Sequence, residues 1–180
     1  MIIKQILAIS TLVGVMSFTG NFKADTTNAK IGFTVKGLFG TVHGSFTGLQ
    51  STIKFNEKDL EASSITASVE TKTVSTGISL RNSDLRNKAE WFDAAKYPKI
   101  TIQSKKITKA SSGYKMLGDL TIRGITKAID IPFTFDSKVD GGLFKSEFTI
   151  LRSDYRLGKE GGSVGSVITV ILSVPVSNMK

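Results

Sequence analysis

Apolar and polar residues alternate along most of this chain. Ile31, Phe33 and Val35 are followed in the same parity by Leu49, Ile53, Phe55 and by Ile65, Ala67, Val69, whereas Val42, Gly44 and Phe46 take the even positions. Further on come Ile100 and Ile102, then Met116, Gly118, Leu120, Ile122, then Ile129, Ile131, Phe133, Phe135, then Phe144, Phe148, Ile150. The last segment sets Ile168, Val170, Leu172 and Val174 on one face and Val167 and Ile171 on the other. Lys, Thr, Ser, Glu and Asp fill most of the places between, as expected of half-buried antiparallel strands.

Turn residues punctuate these runs at Thr47-Gly48, Asn56 to Asp59, Ser111-Ser112-Gly113, Arg123-Gly124, Asp140-Gly141-Gly142 and Gly161-Gly162. The spacing predicts about eight strands joined mostly by short loops. A sheet of that length with one apolar face must close or pack on a second sheet, and sequential hairpins favour closure. We therefore expect an all-β protein, an extended antiparallel up-and-down β-barrel. Its interior is either filled by side chains or holds one slender ligand. Gly44, Ala67 and Gly118 on the inner face fit both readings: they leave space, or they admit Phe33, Phe46, Phe133, Phe135 and Phe148. A tunnel with these walls would take an apolar ligand.

Between Val69 and Ile100 the alternation stops. Ser79 or Asn82 can cap a helix carrying Leu80, Leu85 and Ala89, and Pro98 precedes the next strand. A helical excursion around 79–92 lying over a barrel end would account for the aromatics Trp91, Phe92 and Tyr97. Trp91 and Phe92 would either close the core or line an entrance.

The N-terminus changes the expected setting. Lys4 precedes an apolar run from Ile6 to Phe18, followed by small residues, which is the layout of a secretory signal over 1–19 with cleavage after Thr19. A single domain is then expected over 20–180, in the periplasm or secreted. There is no cysteine and one histidine, His43, so neither a disulfide framework nor a His- or Cys-based metal site is expected. The net charge of +9 draws the surface toward anionic partners such as a membrane. The lysines are scattered and no RNA-binding motif occurs, so nucleic acid is not an expected partner.

Catalysis would need a nucleophile with a positioned base, or paired acids, in a cleft. Asp84 with Arg81 and Arg86 is the best constellation, followed by Arg152, Ser153, Asp154 and Tyr155. An Asp three residues from an Arg is commonly a surface pair. His43 points outward by parity. The glycines form no phosphate loop.

The stretch RNSDLRNKAEWFDAAKYPKITIQS, 81–104, resembles the signature region of the YceI-like family of bacterial polyisoprenoid-binding proteins. Arg81, Leu85, Phe92, Asp93, Lys96, Tyr97 and Pro98 match it. GDLTIRGITKAIDIPF, 118–133, and FTILRSDYRLG, 148–158, are similar to two further family segments. The resemblance implies a lipocalin-like barrel holding a long isoprenoid or similar lipid tail, such as that of a quinone, in a periplasmic or secreted protein. Two family histidines are absent: Asn28-Ala29 stands for a His-Ser pair and Asp84 for the second histidine.

The expectation is a non-enzymatic carrier or store, with no cofactor or metal and a long-chain isoprenoid or lipid as ligand. Inward parity nominates Phe33, Val35, Val42, Phe46, Leu120, Ile122, Phe133, Phe135, Phe148 and Ile150 as lining residues, with Trp91 and Phe92 near one end. Transient contact with an anionic membrane and a homodimer are both compatible with it. The rivals are a solidly packed envelope interaction module and a small-molecule enzyme built around Asp84 or Asp154.

Overall fold

The computed structural model describes residues 20–159 and 161–179. The expected leader lies outside the described residues. The strands are β1 (Gly20–Ala24), β2 (Lys30–Gly37), β3 (Gly40–Phe46), β4 (Gln50–Phe55), β5 (Ser64–Glu70), β6 (Lys99–Lys109), β7 (Tyr114–Ile122), β8 (Ile125–Lys138), β9 (Gly141–Leu151) and β10 (Val164–Asn178), with helix α1 (Ser79–Asn87) between β5 and β6. All pairings are antiparallel. β1 and β4 to β10 pair in a ring, and contact between β1 and β10 closes it into an eight-stranded barrel.

Two further strands lengthen the barrel at one end. β10 faces β1 at Val176–Ala24 and β2 at Leu172–Ile31, so β1 and β2 form one interrupted stave. β3 and β4 form the next, with Phe46 opposite Ile31 and Ile53 opposite Phe22. The first interruption is held by the Asp25 carboxylate, which accepts hydrogen bonds from the Thr27 and Asn28 amides at 3.1 Å and from the Asn28 side chain at 2.7 Å. These bonds, led by the Asn28 side chain, hold the exposed Asp25 carboxyl below its usual range. Asn28 therefore serves to hold this turn.

Parity carries through to the packing. Tyr114, Met116, Leu120 and Ile122 of β7 are buried while Lys115 and Leu117 are exposed. In β6 the register shifts between Ser104 and Lys106, and this bulge turns Ile107 into the core.

The expected excursion is present, but α1 ends at Asn87 and the rest of the stretch to Pro98 is turns. Its helix is not capped by Ser79 or Asn82: the N-cap position is Ile78, without a side-chain cap. Asn82 Oδ1 instead accepts from the Thr76 amide and hydroxyl, both at 2.7 Å. No residue of α1 is fully buried: Leu85 packs part-buried against the core, and polar tethers add to this single apolar contact. Arg81 donates to Thr76 and Arg86 to the Val74 carbonyl at 2.8 Å. The base of the excursion is pinned by Thr71, 1% exposed, whose hydroxyl donates to the Tyr97 carbonyl at 2.7 Å. β3 meets the excursion through a bridge between Ser45 and Ser75. The cover thus sits where β3 leaves the ring open.

Candidate functional site: a two-chambered barrel interior

The end of the barrel away from α1 is solid aromatic packing. Phe55 lies at its centre, its ring 5.0 Å from Tyr114, 5.6 Å from Phe133, 5.3 Å from Phe135 and 5.4 Å from Phe144, measured between centroids. Phe22 closes the group against Phe135 at 5.2 Å. Aromatic pairs of this kind add about 0.5–1.5 kcal/mol each beyond their buried area. Tyr114 reaches the rim, where its hydroxyl donates to Glu57 at 2.5 Å and accepts from Lys109 at 3.0 Å. Burial, then the bond to Glu57, raises the pKa of Tyr114, with Lys109 opposing.

Above this plug is an inner chamber of about 170 Å³. Ile31, Leu49, Ile53, Ile65, Ala67, Val69, Ile100, Ile102, Met116, Leu120, Ile131, Phe133, Phe144, Phe148, Val170, Leu172 and Val174 supply its apolar walls. Lys145, also on its boundary, directs its ammonium to Asp136 at 2.9 Å on the exterior. A second chamber of about 320 Å³ lies under α1, walled by Phe33, Val35, Val42, Ile78, Leu80, Leu85, Trp91, Phe92, Leu157, Val164 and Ile168. Its polar members are Thr76, Arg81, Asp84 and Arg152.

Phe46 stands between the two. Its ring is 5.7 Å from Phe33 and 5.5 Å from Phe92, both mouth-chamber residues, and its β-partner Ile31 lines the inner chamber. The three rings form a waist. Gly44 makes room for it: a Cβ there would stand 2.1 Å from the Phe33 ring. At this position the small residue admits an aromatic, whereas Ala67 borders open space.

Of the nominated residues, Leu120, Phe133 and Phe148 line the inner chamber and Phe33, Val35, Val42, Trp91 and Phe92 the mouth. Phe46 forms the waist, Phe135 belongs to the plug, and Ile122 and Ile150 are buried in the core without bordering either space. Trp91 and Phe92 divide the two roles proposed for them. Phe92 is 7% exposed and packs on Phe46, while Trp91 stays half-buried at the entrance.

Trp91 rests on Gly158 and Arg152. A Cβ at Gly158 would lie 2.7 Å from the indole, and its backbone φ of +69° favours glycine as well. The Arg152 guanidinium is 5.8 Å from the ring centre. Arg152 is only 5% exposed, unforeseen from the alternation, and donates to the carbonyls of Gly165 at 2.7 Å, Val164 at 2.8 Å, Leu157 and Lys159. It ties the loop after β9 to the start of β10.

The two acidic neighbourhoods differ. Asp84 borders the mouth, where it pairs with Lys88 at 2.9 Å rather than with Arg81. That hydrogen bond and the Asp84 charge raise the pKa of Lys88. The nearby Thr76 hydroxyl is engaged by Asn82 and Arg81. Asp154 is exposed beside the buried Tyr155, whose pKa is pushed up to about 12 by burial first and the Asp154 charge second.

A closed antiparallel barrel with an apolar interior, plugged at one end and covered at the other, is the architecture of lipocalin-like barrels. The chain belongs to the YceI-like family, whose domain pattern matches residues 22–176. The UPF0312 protein of Yersinia pestis is 29% identical over 193 residues, covering 97% of each chain. Among solved structures, BcnA of Burkholderia cenocepacia superposes with a TM-score of 0.81 at 22% identity, over 87% of this chain and all of that one. A polyisoprenoid binding domain from Saccharophagus degradans superposes at 0.72 with 16% identity, over 89% of this chain and 99% of that one.

Proposed function

We propose that this protein is an exported, non-catalytic carrier or store that sequesters an isoprenoid-like tail in its barrel. The observation that carries the proposal is the pair of apolar chambers, with Phe46 packed on Phe33 and Phe92 of the mouth chamber and paired with Ile31 of the inner one. Membership of the YceI-like family and the fold shared with a polyisoprenoid binding domain support the ligand class. The signal-like 1–19 segment supports export. The engaged state of Asp84 and Thr76 supports binding over catalysis.

Size sets the mode of binding. Burying methylenes contributes about 0.8 kcal/mol each, so one five-carbon unit supplies roughly 4 kcal/mol. Association costs about 4–15 kcal/mol, so a single unit does not suffice. A cavity of about 150 Å³ accommodates benzene, which makes the inner chamber a place for little more than one such unit. A tail that binds well must therefore fill both chambers and displace Phe46 from between them. Its headgroup remains at the mouth, near Arg81, Asp84 and Trp91.

Trp91, the only tryptophan, reports on this directly. Titration with polyprenols of increasing length is expected to shift its emission, with affinity rising until both chambers are filled. Unchanged emission together with no retention of any polyprenol on gel filtration would favour the packed interaction module.

A further inference from the structure

The mouth is bordered by apolar side chains that the barrel does not bury. Phe39 is 98% and Leu38 70% exposed at the tip of the β2–β3 hairpin, and Leu80 is 75% and Ile78 52% exposed at the start of α1. Scattered exposed hydrophobics are ordinary, but these four flank one opening. Ile78 and Leu80 line the mouth chamber, and the hairpin tip directly extends Val35 and Val42, which line its other side.

We infer that this rim is a membrane-docking edge that seats the mouth on a bilayer containing anionic phospholipid. The inference rests on the tail-binding reading but concerns a different surface. A two-residue tip carrying Leu and Phe is a wedge rather than a flat face, a shape suited to the acyl boundary of a bilayer. Exposed Lys36 flanks it, next to Gly165, and the chain carries 24 basic against 15 acidic residues. Apolar insertion backed by cationic attraction is the combination that holds a protein at an anionic interface. The apolar mouth opens between the two halves of the rim, so a docked barrel would offer a tail a path from the acyl layer that avoids water.

The test is co-sedimentation of the wild-type protein and the Leu38→Ser/Phe39→Ser double variant with vesicles of phosphatidylcholine, alone or mixed with phosphatidylglycerol. Wild type is expected to bind the mixed vesicles, less tightly as salt is raised, and the double variant at least tenfold more weakly. Uptake of polyprenol delivered from cyclodextrin without vesicles should be unchanged in the double variant, since neither residue lines a chamber. Absent binding of wild type to mixed vesicles, or equal binding by the variant, overturns the docking edge. So does a dimer in solution that the double substitution dissociates, because the rim would then be covered by a second copy. Loss of polyprenol uptake by wild type that still docks contradicts tail binding and leaves the docking edge standing.

Discussion

Phe46 meets Phe92 edge to face, their ring centres 5.5 Å apart and their planes at 82°. One ring comes from the strand that lengthens the barrel and the other from the stretch that covers it. The contact therefore links the division of the interior to the position of the cover. Replacing Phe46 with Ala should merge the chambers, at a stability cost of about 3–5 kcal/mol measured by urea unfolding. Long polyprenols should bind the variant more tightly than wild type, and short ones little better. Phe46→Trp should do the reverse by narrowing the passage. Identical length profiles for all three proteins would show that the waist does not limit the tail.

Phe33 depends on the absence of a side chain at Gly44. Gly44→Val places atoms where the Phe33 ring lies and is expected to destabilise the fold by about 1–3 kcal/mol. Because Phe33 borders the mouth, a folded variant should also show altered polyprenol binding. Stability equal to wild type would show that the ring relocates freely.

Arg152 is a buried cation satisfied by backbone carbonyls. Arg152→Ala strands those acceptors and is expected to cost about 1–3 kcal/mol for each carbonyl left buried and unsatisfied, measured by chemical denaturation. Arg152→Lys should recover only part of this, since an ammonium cannot reproduce the fork of the guanidinium. The Trp91 emission should shift in both variants, because the guanidinium lies beside the indole.

Tyr155 predicts an alkaline signature. Its pKa is about 12 in the fold against an ordinary value near 10, so its proton is held more tightly in the native state than in the unfolded chain. This stabilisation is fully present below about pH 10 and is lost progressively as pH rises to about 12. Its hydroxyl has no partner among the described residues. Tyr155→Phe should therefore raise stability by about 1 kcal/mol at neutral pH and remove its share of the alkaline loss. Unfolding curves from pH 8 to pH 11 that are parallel for the two proteins would contradict the assignment.

The barrel was legible because period two assigns a face to every residue of a regular strand. Leu120, Phe133 and Phe148 on the inner wall follow from parity alone. Parity says nothing about height along the axis, so Phe148, on the chamber wall, could not be told from Phe135, in the plug. It also fails at irregularities: the bulge near Ser104 brings in Ile107, and the Asp25–Asn28 turn breaks a stave. Arg152 was singled out for its acidic neighbour, but its burial was not legible, because a charge ordinarily marks an outward position and the carbonyls that accept its protons carry no sequence signal. The stretch from Arg81 to Pro98 was recognisable by its aromatics and by family likeness. Its role as a cover depends on tethers such as Arg86 to the Val74 carbonyl, which involve the backbone.

The most direct test is the cargo itself. Protein purified from its native host without detergent, then extracted with organic solvent and analysed by mass spectrometry, should yield a stoichiometric lipid with an isoprenoid tail of more than one unit. Protein that carries no lipid and also fails to take up added polyprenols would contradict tail sequestration and leave a barrel whose two chambers are only packing space.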